Sequence, residues 1–455
     1  MADFWAKIAH QHIRIVQHVL ALLRSRTGQD IGYSLGLKIS YAGLMFLISV
    51  ILARILGPRE YGIYAYAFAV VQLLVLVAQA GLPTLVMRET ARGIAREEFA
   101  LVKGLWRWAT GVVLGVSSGI ILIGSIVLQA TAKDATWGVK EWTLFWGLFL
   151  VPVVALSNVW AGALRGLQKI VSGLLVESYL RIAFFFAWLF ICLVVGRWFA
   201  ASDAMMFHVG AGGFALVLGG WYLWRKMPEV LRKVFPQYAV RIWIVSALPL
   251  IFLGGVHIVN SQADILMLSW LTSDEEVGLY RVAAQMALFA SFGLQAVNMV
   301  VAPRFARLHA MGRMQELERL MHRSGQVILG FNLLVALVFW LGGPLILRLF
   351  FGEEFVASYL VLLILLGGQV INSLVGSVGY LLNMTGHERQ TAYGMSVAAV
   401  VNIFLNVLLI PRFGMFGAAI ATACSIVVWN ILLWHAVRKH LRINSLVLAS
   451  LVKKK

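Results

Sequence analysis

Apolar residues in this chain collect into runs longer than a water-soluble core uses, and the polar residues gather in short segments between them. About 20 apolar residues cross the hydrocarbon of a bilayer as a helix. Runs of that kind fall at 31–55, 62–83, 105–129, 143–163, 171–196, 205–224, 243–270, 277–301, 326–350, 356–382, 391–410 and 415–437. A membrane barrel would show segments of roughly ten residues with alternating polarity. The pattern therefore predicts an all-α polytopic membrane protein with about twelve spans. Ahead of the first run, Phe4, Ile8, Ile15, Val19 and Leu22 recur at near-helical spacing among basic residues. They predict an amphipathic helix over 1–30 on the cytoplasmic membrane face, with neither the unbroken apolar core nor the cleavage site of a targeting peptide.

The chain also repeats itself. Ile51-Leu52-Ala53 leads to Gly62-Ile63-Tyr64, and Ile265-Leu266-Met267 leads to Gly278-Leu279-Tyr280, an offset of 216 residues that also carries Arg88 onto Arg304. Two similar membrane halves are predicted, a common build for transporters that open alternately to the two sides of a membrane. The first half covers 31–224, a cytoplasmic linker 225–242, the second half 243–437 and a basic cytoplasmic tail 438–455.

Composition and charge sharpen this picture. Apolar residues make up 61% and charged residues 13% of the chain, against about 25% charged in soluble proteins. Most of the 38 Lys and Arg residues fall in the tails and even-numbered loops, whereas Asp134, Asp274, Glu275, Glu353 and Glu354 fall in odd-numbered ones. The positive-inside rule then places both termini in the cytoplasm. The net charge of +18 reads as this orientation signal, aided by anionic lipid. No soluble basic face with interleaved aromatics points to nucleic acid. Trp106, Trp108, Trp142, Trp146, Trp198, Trp221, Trp224 and Trp243 lie near span ends as interfacial anchors, and Cys192 and Cys424 fall singly inside spans, without disulfide or metal spacing.

Catalysis finds little support. Membrane glycan polymerases and ligases need carboxylates or histidines in sizeable soluble loops. Here Glu97-Glu98, Glu316 and Glu318 sit among arginines at helical spacing, and His309, His322 and His387 have no acid partner. No nucleophile elbow, phosphate loop or metal cluster appears.

The informative residues are then the charges inside apolar spans: Lys38, Glu177, Arg181, Asp264 and Arg281. Such groups are costly in hydrocarbon unless they face a wet cavity or a partner. Glu177 and Arg181, four apart, are placed for an intrahelical ion pair. Asp264 and Arg281 reach similar depth across the turn at Thr272-Ser273-Asp274; the aspartate is either a protonation or sodium site or half of a fixed bridge. Lys38 either snorkels or faces the cavity, and Arg54 lies at the cavity mouth or the head groups. The interior carries one excess positive charge, which selects anions such as phosphate. Asn260, Gln262, Gln285, Gln295, Asn298, Gln369, Asn372, Asn402 and Asn406 are polar candidates for sugar hydroxyls or for helix-to-helix glue. Pro249 with Gly254 and Gly255 marks a hinge in the seventh span that its first-half counterpart lacks.

At these residues the chain resembles the multidrug/oligosaccharidyl-lipid/polysaccharide exporter superfamily, and within it the Wzx-type polysaccharide and O-antigen flippases of bacteria. The resemblance is carried by "ARILGPREYGIYAYA" at 53–67, "GLPTLVMRETAR" at 81–92, "ALRGLQK" at 163–169 and "DILMLSWLTSDEEVGLYRVAAQ" at 264–285. It implies a flippase of the bacterial inner membrane that moves a polyprenyl-pyrophosphate-linked oligosaccharide from the cytoplasmic to the outer leaflet, for polysaccharide, O-antigen and lipopolysaccharide synthesis. It also implies two six-helix lobes around a central cationic cavity, alternating access, and coupling to protons, sodium or membrane potential, with no cofactor. Other polysaccharide-assembly membrane proteins are further candidate partners. Lys38, Arg54, Arg181 and Arg281 are then the candidate phosphate ligands, and Asp264 and Glu177 the coupling candidates. Related lipid II flippases carry two further C-terminal helices, which makes the peptidoglycan precursor the less expected cargo. An ion-coupled drug or metabolite antiporter of the same superfamily is the alternative.

Overall fold

The computed structural model describes residues 26–131, 137–196 and 198–447. The amphipathic helix expected at the extreme N-terminus falls mostly outside these residues, as does the terminal lysine cluster. The first span starts earlier than expected, at Arg26.

Among the described residues twelve spans run in sequence, numbered here α1 to α12. The run Arg26–Gln79 contains α1 (26–56) and α2 (58–79), broken at Gly57. Then come α3 (Phe99–Thr131), α4 (Val139–Gly166), α5 (170–195) and α6 (Ala201–Lys226). The second half has α7 (Val240–Leu271), α8 (Asp274–Ala310), α9 (Met314–Phe350), α10 (Tyr359–Val375), and α11 (388–413) with α12 (415–441), the last two joined at Gly414. Short helices Leu82–Ala95, Glu229–Lys233 and Val378–Met384 lie between spans. The loops rich in arginine mark one end of the bundle, here the basic end, and the turns at Gly57, Ser273 and Gly414 mark the acidic end.

The breaks have local causes. Gly57 has φ 68°, open to glycine at little cost, and Pro58 then starts α2 where a missing N–H is harmless. Gly414 has φ 54°, three residues after Pro411. Within α5, residues Leu175–Tyr179 form a π turn and the helix bends by 44°. The tenth expected span, 356–382, is in fact interrupted. Gly376 at φ 77° ends α10, and a separate short helix follows, because an apolar run alone does not encode backbone continuity. The expected tail also differs: α12 continues to Leu441, and Ile443 and Val447 are buried against the second half.

Apolar packing shows how the halves meet. The large core includes Leu52, Tyr61, Val151 and Phe185 from the first half and Leu268, Tyr280, Phe351 and Ala418 from the second. A second core, with Phe305, Met321, Leu382 and Leu433, belongs to the second half alone. At the acidic end the contact is backbone to backbone. A Cβ on Gly62 would stand 1.7 Å from the Asp274 carbonyl oxygen, and one on Gly278 would stand 2.0 Å from that of Pro58. The repeated glycines of α2 and α8 thus pack against each other's helix ends. Arg54 adds a bond from its Nε to the Phe350 carbonyl at 2.7 Å and another to that of Leu349, at the negative end of α9's dipole. Lys140 of α4 bonds Asp274 at 2.5 Å. The acidic end is closed.

Candidate functional site

Between the halves lies a cavity of about 510 Å³ lined by α1, α2, α4, α5, α6, α7 and α8. Arg181, Arg281, Glu177, Gln262 and Gln285 from the sequence reading all line it, together with His208, His257, Gln72, Gln79 and Asn158.

The expected ion pair between Glu177 and Arg181 does not form. Glu177 sits inside the π turn, whose extra residue rotates the next turn of helix away. Its carboxylate is held by Arg165 at the end of α4, Nη1 to Oε2 at 3.2 Å. Arg181, only 7% exposed, donates from Nη1 to His208 Nε2 at 2.8 Å. His208 Nδ1 stands 2.8 Å from the Tyr64 hydroxyl, and its ring stacks on Phe185 at 4.3 Å between centroids. Arg181 therefore meets no acid among the described residues, and its Nε has no partner. Arg281 is half-buried in the cavity wall and forms no hydrogen bond or ion pair with a described residue. Arg54 stands apart, with its guanidinium on the α9 carbonyls. The backbone of Lys38 belongs to α1, but its side chain lies outside what the structure describes.

Asp264 is not paired with Arg281 and does not line the cavity. It sits within the second half, where four neutral groups donate to it. Tyr280 and Thr422 hydroxyls reach Oδ2 at 2.5 Å each, and Asn406 and Asn402 amides reach Oδ1 at 2.7 and 3.1 Å. Four donors compensate the loss of water around a carboxylate. The Asn406 Oδ1 is buried with no partner of its own.

Other polar candidates act as glue. Asn260 bonds the Met395 carbonyl of α11. Asn332, Gln369, Asn372 and Asn430 form a chain of bonds across α9, α10 and α12. Asn298 is 1% exposed, with neither amide atom partnered. Pro249, Gly254 and Gly255 lie within a continuous α7 that packs on the first half, Gly254 toward Leu76 and Leu250 toward Gly81.

Sequence reasoning missed His208 and Arg165. His208 falls within the expected span 205–224 but carries no formal charge to mark it. Arg165 reads as a turn residue, and His322, expected to have no acid partner, stands with its Nε2 3.7 Å from Glu318 Oε1, one helical turn away. The repeat itself held one more signal. Glu60 and Glu276 share the 216-residue offset, and each carboxylate accepts a backbone N–H at the start of the last helix of its half, from Ala201 at 2.8 Å and Met415 at 2.7 Å.

The family described as "Polysaccharide biosynthesis protein" matches residues 27–309, more than half the chain. The chain belongs to this family. As a member it also matches the MatE family over 240–408. It is 25% identical over 414 residues to the "Probable low-salt glycan biosynthesis flippase Agl15" of Haloferax volcanii, covering 87% of this chain and 80% of that one. It is 22% identical to a Shigella flexneri protein provisionally named an O-antigen transporter, over 91% of this chain and 97% of that one. An inward-facing multidrug-resistance MATE transporter of the MOP superfamily shares its fold with a TM-score of 0.72 at 14% identity, covering 88% of this chain and 94% of that one. The lipid II flippase MurJ in an inward closed conformation follows at 0.69 and 12% identity, covering 90% and 87%. This family member is a multi-pass membrane transporter and not an enzyme.

Proposed function

We propose that this chain flips a polyprenyl-pyrophosphate-linked oligosaccharide from the cytoplasmic to the outer leaflet of a bacterial inner membrane by alternating access. The observation that carries the proposal is the cavity between the halves, where Arg181 and Arg281 line the wall without an acid partner among the described residues. Buried cations of this kind demand anions. The glycan-flippase and O-antigen names of the relatives point to the same class of cargo. The basic end faces the cytoplasm on this reading, by the positive-inside rule.

The charged head group cannot cross hydrocarbon unaided, while the isoprenoid prefers to stay there. Arg181 and Arg281 hold phosphate, and Gln262, Gln285 and Asn158 offer bonds to sugar hydroxyls. Closure at Gly62 and Gly278 holds the cavity shut at the acidic end while cargo enters from the basic end.

Asp264 is the coupling site in this proposal. A proton would neutralise it, or a sodium ion would bind once an amide such as that of Asn406 turns its unpartnered oxygen inward. Either change reshapes bonds among α7, α8, α11 and α12, and a ligand moves a conformational equilibrium only through such differential affinity.

Glu177 is neutralised by Arg165, which weighs against an antiporter for organic cations. The test is translocation of a fluorescent polyprenyl-pyrophosphate oligosaccharide in proteoliposomes under imposed ion gradients and membrane potential. Movement above empty liposomes is expected. Transport of an organic cation with no movement of the glycolipid would replace this function with the antiporter.

A further inference from the structure

We infer that His208 takes up a proton when an anion binds Arg181, so that filling the cavity with its anionic cargo is linked to proton binding in the first half of the protein. This rests on the reading of the cavity as an anion site, and adds a titrating group distinct from Asp264.

The argument starts from what each group can donate. A guanidinium has donors only, so His208 Nε2 must accept the 2.8 Å bond from Arg181. The ring proton then sits on Nδ1 and is donated to the Tyr64 hydroxyl at 2.8 Å. While Arg181 holds the ring, His208 is neutral.

Among the described residues the ring has no other polar partner. Phe185 of α5 stacks on it at 4.3 Å and Phe68 of α2 stands at 5.7 Å. Where α4 faces α6, one turn along at Gly212, it presents Val153 and Leu150. The ionisable groups of elements packed against His208 are thus Arg181 and Tyr64. Tyr41, Tyr61, Glu177, His257 and Arg281 share the same cavity, and Glu177 is occupied by Arg165.

An anion arriving at Arg181 competes for the Nη1 that bonds His208 and finds the unpartnered Nε as well. When Nη1 turns to the anion, His208 Nε2 loses its donor. It can then take a proton from cavity water and donate it to an anion oxygen, while Nδ1–H stays on Tyr64. A nearby negative charge favours the cationic form of a histidine. The protonated ring puts a second positive charge beside Arg181, against the two negative charges of a pyrophosphate diester. By reciprocity, protonation raises anion affinity by the factor by which the anion favours protonation.

The experiment uses the purified full chain in neutral-lipid nanodiscs. The probe is a short-chain prenyl pyrophosphate linked to N-acetylglucosamine, a diester with no group that titrates near neutral pH. Affinity is measured between about pH 5.5 and 8, the range in which histidine changes charge. Protons taken up are counted by calorimetry in two buffers of different ionisation heat. In the unmodified protein, affinity should fall roughly tenfold as pH rises, within the usual span of linked sites, with a net proton taken up per anion bound. His208→Gln keeps an acceptor for Arg181 but cannot charge, so its affinity should be flat with pH and its proton uptake lost. His257→Gln should retain the pH dependence. Binding without proton uptake in the unmodified protein overturns the inference and leaves the anion site standing. So does an unchanged pH slope in His208→Gln, or in His208→Asn should the first variant fail to fold. Absence of binding at every pH overturns the anion reading, and this inference with it.

Discussion

At the acidic end the two halves present the same parts, and in the membrane interior they present different ones. Gly62 meets Gly278, and Glu60 and Glu276 each cap the last helix of their own half. Deeper in, the first half buries a cation on a neutral histidine and an aromatic stack, whereas the second buries a carboxylate among hydroxyls and amides. The repeated parts are those that hold the helix ends together at the acidic end. The unrepeated ones divide the labour. Arg181 faces the cavity and keeps a nitrogen without a partner; Asp264 lies away from the cavity, with four donors on its carboxylate. On the proposed function the first would receive the anion, and the second would register a change among its own helices.

The comparison breaks most visibly at the shared glycines. Gly62→Val and Gly278→Val each force a side chain into the partner helix's carbonyl, at a Cβ distance of 1.7 or 2.0 Å. Overpacking of this kind costs about 1–3 kcal/mol or more, borne only by the closed state. Either variant alone should therefore open the acidic end, shifting the population by roughly tenfold or more at about 1.4 kcal/mol per factor of ten. Electron–electron resonance between spin labels replacing Arg59 and Glu275 would report a longer distance. An unchanged distribution in both variants would show that the glycines do not form the closure.

The unlike interiors predict opposite losses. Arg181→Gln should weaken binding of the anionic probe by about tenfold or more, since a hydrogen bond to a charged group is worth about 1.5–3 kcal/mol. Its response to an ion gradient should persist where transport is still measurable. Asp264→Asn should leave probe affinity within about twofold while removing the response to the gradient, because the substitution keeps the shape and discards the charge. Equal loss of both properties in both variants would mean that the interiors are not specialised.

Much of this was legible in the sequence, and what was not had a physical reason. Apolar runs of bilayer length revealed the spans, and the glycine motif revealed the repeat, because both are local patterns. Asp264 is conspicuous because charge in hydrocarbon is rare, and Asn402 and Asn406 are visible as polar residues in an apolar run. Their convergence on one carboxylate depends on contacts between residues 138 and 142 apart. The Glu177 and Arg181 spacing misled because a π turn changes helical register without any residue type that signals it. Arg54 found carbonyls 295 and 296 residues away, and backbone acceptors leave no trace in side-chain chemistry. His208 has no formal charge to draw the eye, yet it is the group that accompanies the deepest cation.

The smallest effect should come from the ion pair that joins the halves at the acidic end. Lys140 and Asp274 bond at 2.5 Å, with side chains 31% and 21% exposed. Partly exposed pairs contribute at most about 1 kcal/mol, less in salt. Asp274 also gains from the N-terminus of α8, which no change at Lys140 removes. Lys140→Met should therefore raise the open fraction at the acidic end by about fivefold at most at low ionic strength. High salt should bring the unmodified protein toward the variant, because screening acts on the pair and leaves the glycine packing untouched. A Lys140→Met effect as large as that of Gly62→Val would move the main closing force from backbone contact to charge, and the repeat would then lose its mechanical meaning, since Lys140 has no counterpart in the 216-residue register: position 356 is Val356.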